Sequence, residues 1–183
     1  MLRKLTLALA VLASPAFADG LEITIAGEAE GVVKIDLFEE NAPMHVAQIT
    51  QLARDGFYDG VYFHRVIQGF MAQTGDGEFA KVDGGDMRLA GRGGSDLPNI
   101  EAEFSDEPFD RGVVGMARGQ HPHSANSQFF IMFAPGYFLN GQYTVVGKVT
   151  EGMDVVDAIK LGLGPNGSVL GEPDRMVKVS VTE

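Results

Sequence analysis

The densest run of chemistry-bearing residues is Phe63-His64-Arg65-Val66-Ile67-Gln68-Gly69-Phe70-Met71-Ala72-Gln73-Thr74-Gly75-Asp76. Read as a strand, a bend at Gly69 and a second strand, it brings Arg65, Phe70, Met71 and Gln73 to one surface. That surface would combine a permanent cation with planar, forked donors, a carboxamide and two large apolar side chains. Each also has a plainer reading, Phe70 and Met71 as core and Arg65 as a solvated strand residue. A second pair of segments weighs against it: Gly115-Met116-Ala117-Arg118, followed by Ser127-Gln128-Phe129-Phe130-Ile131.

Other chemistries find little support. The chain has no cysteine, so it offers no thiol nucleophile, no disulfide and no Cys-ligated zinc. It has no Gly-x-Ser-x-Gly elbow to raise a nucleophilic serine. His121-Pro122-His123 lacks a third ligand nearby, and Asp76, Asp83 and Asp86 do not follow the calcium-loop spacing. Gly91-Arg92-Gly93-Gly94 opens no amphipathic helix that could hold a phosphate. No metal site is expected. A formal net charge of −11 argues against nucleic acid and anionic membranes as partners.

The N-terminus has its own pattern. Arg3 and Lys4 precede a short apolar run, Leu5 to Ala13, and Ala16-x-Ala18 stands before Asp19. This is the layout of a secretory signal, with cleavage expected after Ala18. The run is well short of the roughly 20 apolar residues a membrane span needs. Residues 19–183 are then one domain, long enough to bury its own core, exported to the periplasm and free of the membrane.

The elements that would position the candidate residues can be read from periodicity. Leu21, Ile23 and Ile25, then Val33, Ile35 and Leu37, alternate with polar residues on either side of a Gly27–Gly31 turn and predict a hairpin. Pro43 suits a first helical turn, and Val46, Ile49, Thr50 and Ala53 keep helical spacing until Gly56. Six further strands are expected at Val61–Ile67, Phe70–Thr74, Gly112–Ala117, Gln128–Phe133, Tyr143–Val149 and Met176–Val181. A second short helix fits Met153 to Leu161. Short strands with two helices imply an antiparallel sheet that must close or be covered. The Gly- and Asp-rich stretch from Gly75 to Asn99 has no clear period, and a loop that long usually carries function or wraps the core.

Taken in order, these segments resemble the cyclophilins over about Ile23 to Val181. The resemblance is carried by Asn41-Ala42-Pro43, Gly56-Phe57-Tyr58-Asp59-Gly60, the Phe63-to-Asp76 segment, Ser127-Gln128-Phe129-Phe130-Ile131, Leu139-Asn140-Gly141 and Val146-Gly147-Lys148-Val149. It implies a mainly β fold, a closed eight-stranded antiparallel barrel capped by two α-helices, and peptidyl-prolyl cis-trans isomerase activity. By that resemblance Arg65 is the catalytic arginine and Gln73 its neighbouring glutamine. Phe70, Met71, Phe130 and Leu139 match the walls of a proline pocket. Ala117, Arg118 and Gln128 match the groove before the proline, and His64 matches the histidine preceding the arginine. Phe138 and Tyr143 stand where tryptophan and histidine are usual, Gln68 where proline is common, and Arg118 where asparagine is usual. The implied partners are proline-containing unfolded or flexible polypeptides. No cofactor is needed, and a monomer is expected.

Overall fold

The computed structural model describes residues 20–182; the expected signal segment therefore lies outside the described residues. Nine strands form one antiparallel sheet: β1 (Gly20–Ala26), β2 (Gly31–Leu37), β3 (Val61–Tyr62), β4 (Arg65–Ile67), β5 (Met71–Thr74), β6 (Val113–Met116), β7 (Phe129–Met132), β8 (Val145–Glu151) and β9 (Arg175–Thr182). Their order is β3-β9-β1-β2-β8-β6-β7-β5-β4. The mainly β class with two helices is as expected, but the closed eight-stranded count is not.

The difference has a local cause. The single strand expected over Val61–Ile67 breaks at Phe63-His64, because the backbone there bonds sideways to another segment. Phe63 N donates to Asp174 O (2.8 Å), and His64 O accepts from Val169 N (3.1 Å). The break makes β3 and β4 the two ends of the ladder, so two residues of chain, and not a row of hydrogen bonds, join one end to the other.

Helix α1 (Pro43–Arg54) starts at the expected proline. Ala42 gives it no side-chain cap. The distant Glu103 supplies one, accepting from Met44 N (3.1 Å) and His45 N (3.0 Å), where a carboxylate satisfies orphan amides and the helix dipole together. Helix α2 spans only Met153–Asp157, shorter than the Met153–Leu161 expected from Val155, Val156 and Ile159. Asp174 draws the following backbone away, accepting from Lys160 N (2.7 Å).

Strand alternation divides the apolar residues into two layers. Val66, Ala72, Val114, Met116, Phe129 and Ile131 point into the main core with Ile23, Ile35 and Ile49. The residues between them, Met71, Val113, Phe130 and Met132, form a second cluster with Phe109, Leu139 and Val145 on the opposite face.

Candidate active site

Register brings the candidate residues together on that outer face. Arg65 pairs with Gln73 across β4 and β5, Gln73 with Phe130 across β5 and β7, and Phe130 with Gly115 across β7 and β6. Directly opposed residues in an antiparallel ladder lie about 4.5–5.5 Å apart at Cβ. The result is one row across four strands: guanidinium, carboxamide, aromatic ring, glycine. A Cβ at Gly115 would meet Phe130 Cζ at 2.5 Å and Phe109 Cε1 at 2.6 Å, so only glycine leaves room for the Phe130 ring to stack on Phe109 (5.8 Å).

Beside the row opens a cavity of about 300 Å³ lined by Arg65, Phe70, Met71, Gln73, Ala117, Arg118, Phe130, Phe138, Leu139 and Tyr143. Ten of the twelve sequence-predicted residues meet there. Met71, Phe130 and Leu139 are buried and form a firm apolar socket. Phe138 is 67% exposed, stands at the rim in a 3-10 turn (Tyr137–Leu139), and lies against Phe70 at 5.5 Å between ring centroids.

The two remaining residues lie just outside the socket. Gln128 lines an adjoining cavity of about 490 Å³ with Gly91, Gly93, Asn126 and Arg118. His64 is 5% exposed and lines a third cavity, of about 820 Å³, on the Asn166 side of Arg65. Expected among the substrate-binding residues as the histidine preceding the arginine, it lines this third cavity and not the socket. Neither ring nitrogen of His64 has a hydrogen-bond partner, and burial above all holds its pKa down to about 4, so the ring is neutral at ordinary pH.

Arg65 is held on two sides. Nη1 donates to Gln73 Oε1 (3.0 Å), Nε to Asn166 O (2.9 Å) and Nη2 to Asn166 Oδ1 (3.2 Å). Three of the five N–H donors are thereby taken. One stays on Nη2, and the second on Nη1 meets only the weak acceptor Met71 Sδ at 3.9 Å, which a substrate atom can replace. Burial lowers the guanidinium pKa from its ordinary value, with Tyr143 opposing the shift; arginine starts so high that it stays charged.

Gln73 is itself held in place. Its Nε2 donates to Gln128 Oε1 (2.9 Å), and Gln128 Nε2 donates to Gly93 O (2.8 Å). This chain of amides ends on the loop that the sequence left without a period. The loop is organised by Asp76, fully buried, whose carboxylate accepts from Glu78 N (3.2 Å), Phe79 N (2.9 Å), Gly91 N (2.7 Å) and Gly93 N (3.1 Å). Asp76 is thus a loop anchor. His121 and His123 are loop residues, each accepting a backbone N–H at Nδ1, and among the described residues no group of three acidic, His or Cys side chains could hold a metal.

Arg118 is a wall. Its guanidinium donates to Gln142 O (3.2 and 3.0 Å) and Gly119 O (3.0 Å) and lies 4.5 Å over the Tyr143 ring. The replacements at 118 and 143 therefore act as one unit, a cation–π pair. Sequence reading missed Asn166, whose only signal is Pro165-Asn166-Gly167, a turn sequence.

A fixed guanidinium with spare donors thus stands at the lip of an apolar socket of about 300 Å³. The family model for "Cyclophilin type peptidyl-prolyl cis-trans isomerase/CLD" matches residues 21–181. The chain belongs to that family and is a peptidyl-prolyl cis-trans isomerase. It is 58% identical over 153 residues to a probable peptidyl-prolyl cis-trans isomerase of Brucella suis, covering 83% of this chain and 78% of that one. A peptidyl-prolyl cis-trans isomerase of Helicobacter pylori is 38% identical, with 73% and 77% covered. Among solved structures, a cyclophilin from Hirschia baltica matches with a TM-score of 0.69 at 28% identity, over 87% of this chain and 72% of that one.

Proposed function

We propose that this enzyme turns X-Pro bonds of exported polypeptides in the periplasm, as a monomer acting after cleavage behind Ala18, and so speeds the folding of those clients. The observation that carries the catalytic reading is Arg65, held by Gln73 and Asn166 with donors to spare at the edge of the socket.

The chemistry follows from the bond. A peptide C–N bond resists rotation by ~18–20 kcal/mol because the nitrogen lone pair is delocalised into the carbonyl. When the bond twists, the proline nitrogen becomes pyramidal and regains that lone pair. A donor aimed at this nitrogen bonds well only in the twisted state, which is preferential binding of the transition state. A charge-assisted hydrogen bond of about 1.5–3 kcal/mol supplies one to two decades of rate at ~1.4 kcal/mol per decade. The remainder comes from gripping the proline ring between Phe70, Met71, Phe130 and Leu139 while the preceding carbonyl rotates. Gln73 holds Arg65 and keeps one amide N–H beyond its bond to Gln128 for that carbonyl. Uncatalysed isomerisation takes tens to hundreds of seconds, slow enough for a catalyst to matter to newly exported chains.

Arg65→Lys and Arg65→Ala test the reading by NMR-exchange isomerisation of an X-Pro peptide. Lysine keeps the charge but loses the fork, so kcat/KM should drop about tenfold or more, and further for alanine, while peptide affinity changes far less. Near-wild-type turnover in a folded Arg65→Ala protein would overturn it. N-terminal sequencing of exported protein should begin at Asp19, and an intact Met1 would refute the export reading.

A further inference from the structure

We propose that Asn166 is a positioning residue for Arg65, holding one whole edge of the guanidinium so that its remaining donors face the socket. The proposal rests on the isomerase reading above. Nε and Nη2 are the two donors along one edge of the guanidinium, and Asn166 takes both, one with its backbone oxygen (2.9 Å) and one with Oδ1 (3.2 Å). Gln73 touches the group at Nη1 alone, which leaves it free to swing about that single bond. Two contacts on a second edge remove the swing.

The turn that presents these two oxygens to Arg65 has a left-handed backbone. Asn166 has φ 54° and ψ 27°, and among the described residues no other non-glycine has a positive φ. Asparagine is one of the few L-residues that tolerates this region. The turn is pressed onto the strand that carries Arg65. A Cβ at Gly167 would meet Ile67 Cγ1 at 2.4 Å, Gly162 N donates to Val66 O (2.9 Å) and Val169 N to His64 O (3.1 Å), and Arg65 pairs with Ser168 in a β-bridge. The acceptors and the arginine therefore move as one body.

Three variants separate positioning from mere folding. Asn166→Ala loses Oδ1 and disfavours the left-handed turn; kcat should fall about tenfold with KM within about twofold, since orientation serves the transition state more than ground-state binding. Asn166→Gly keeps the turn and the carbonyl alone, and should lie between alanine and wild type. Asn166→Asp keeps both acceptors and should stay within about threefold of wild type. A second readout is the Arg65 Nη2–H signal in nitrogen-15 NMR at low temperature, the donor that Asn166 Oδ1 accepts from. Its exchange with water should be slowed in wild type and Asn166→Asp and fast in Asn166→Ala. A folded Asn166→Ala protein with wild-type kcat, an unchanged Nη2–H exchange rate, or an Asp variant as poor as Ala would each overturn the proposal. If wild-type protein turns over no X-Pro peptide, the isomerase reading fails, and the exchange measurement still decides whether Asn166 holds Arg65.

Discussion

On one side of Arg65 the surface is side chain: Phe70, Met71, Phe130 and Leu139 stand on a packed apolar layer that includes Phe109, Val113 and Met132. On the other it is loop backbone, with Asn166 folded under the guanidinium and the Gly91–Gly93 stretch strung on Asp76. The socket takes its rigidity from close packing, where each methylene is felt. The Gly91–Gly93 loop takes its rigidity from one buried acceptor, Asp76, which serves four amides. Packing spreads its contribution over many contacts, whereas the Asp76 carboxylate gathers four amides on one group.

That contrast can be broken most severely at Asp76. Asp76→Ala leaves four amides without their acceptor and should cost about 4 kcal/mol in urea unfolding. It should also lower turnover through the Gly93–Gln128–Gln73 chain. A cost under about 1 kcal/mol would mean the loop does not depend on this carboxylate.

Phe130→Ala attacks the other side. Truncating a buried phenylalanine costs about 3–4 kcal/mol, and kcat/KM of protein shown to be folded by circular dichroism should drop by about a decade as the grip on proline loosens. An unchanged kcat/KM would remove Phe130 from the socket's function.

His64, behind Arg65, ties stability to pH. Its folded pKa of about 4 lies below the ordinary histidine value of 6.5, burial being the main cause. As pH falls from 6.5 towards 4 the unfolded chain takes up a proton that the folded one refuses, so stability is lost at about 1.4 kcal/mol per unit, roughly 3 kcal/mol in all. His64→Gln should flatten this slope relative to wild type in urea titrations at pH 7 and pH 4.5. Because His45 is also shifted down by burial, the difference between the two proteins carries the result. Parallel slopes would show that His64 takes up its proton in the folded state as readily as in the unfolded one.

Phe138→Ala should do least. The ring is two-thirds exposed, so stability should move by only about 0.5 kcal/mol, while loss of its contact with Phe70 raises KM by about two- to threefold. A larger loss of stability than of affinity would place Phe138 in the core rather than at the rim.

Much of the socket was legible in the chain because alternation is a local property. Once β5 is a strand, Met71 and Gln73 must share a face, the sequence places Gly69 at the bend before it, and the register of β4 and β7 adds Arg65 and Phe130. Strand boundaries came within about two residues for the same reason. The Val61–Ile67 strand did not survive, since its break depends on amides and carbonyls of Val169 and Asp174 that have no signature in the strand itself. Asp76 was legible only as one acid among glycines, and His64 as a neighbour of the arginine rather than a residue turned to another cavity.

By itself, then, the sequence determined the strand periods and the meeting of a cation and an amide with large apolar side chains on one surface. These are patterns of side-chain type at short spacing. Only the tertiary structure decided that Asn166, 101 positions from Arg65, holds the guanidinium, that Glu103 caps α1, and that Asp76 and Asp174 tie distant loops. In each case the partner on at least one side is backbone, which every residue carries alike. No residue type announces which distant amide or carbonyl it will meet until the chain has folded.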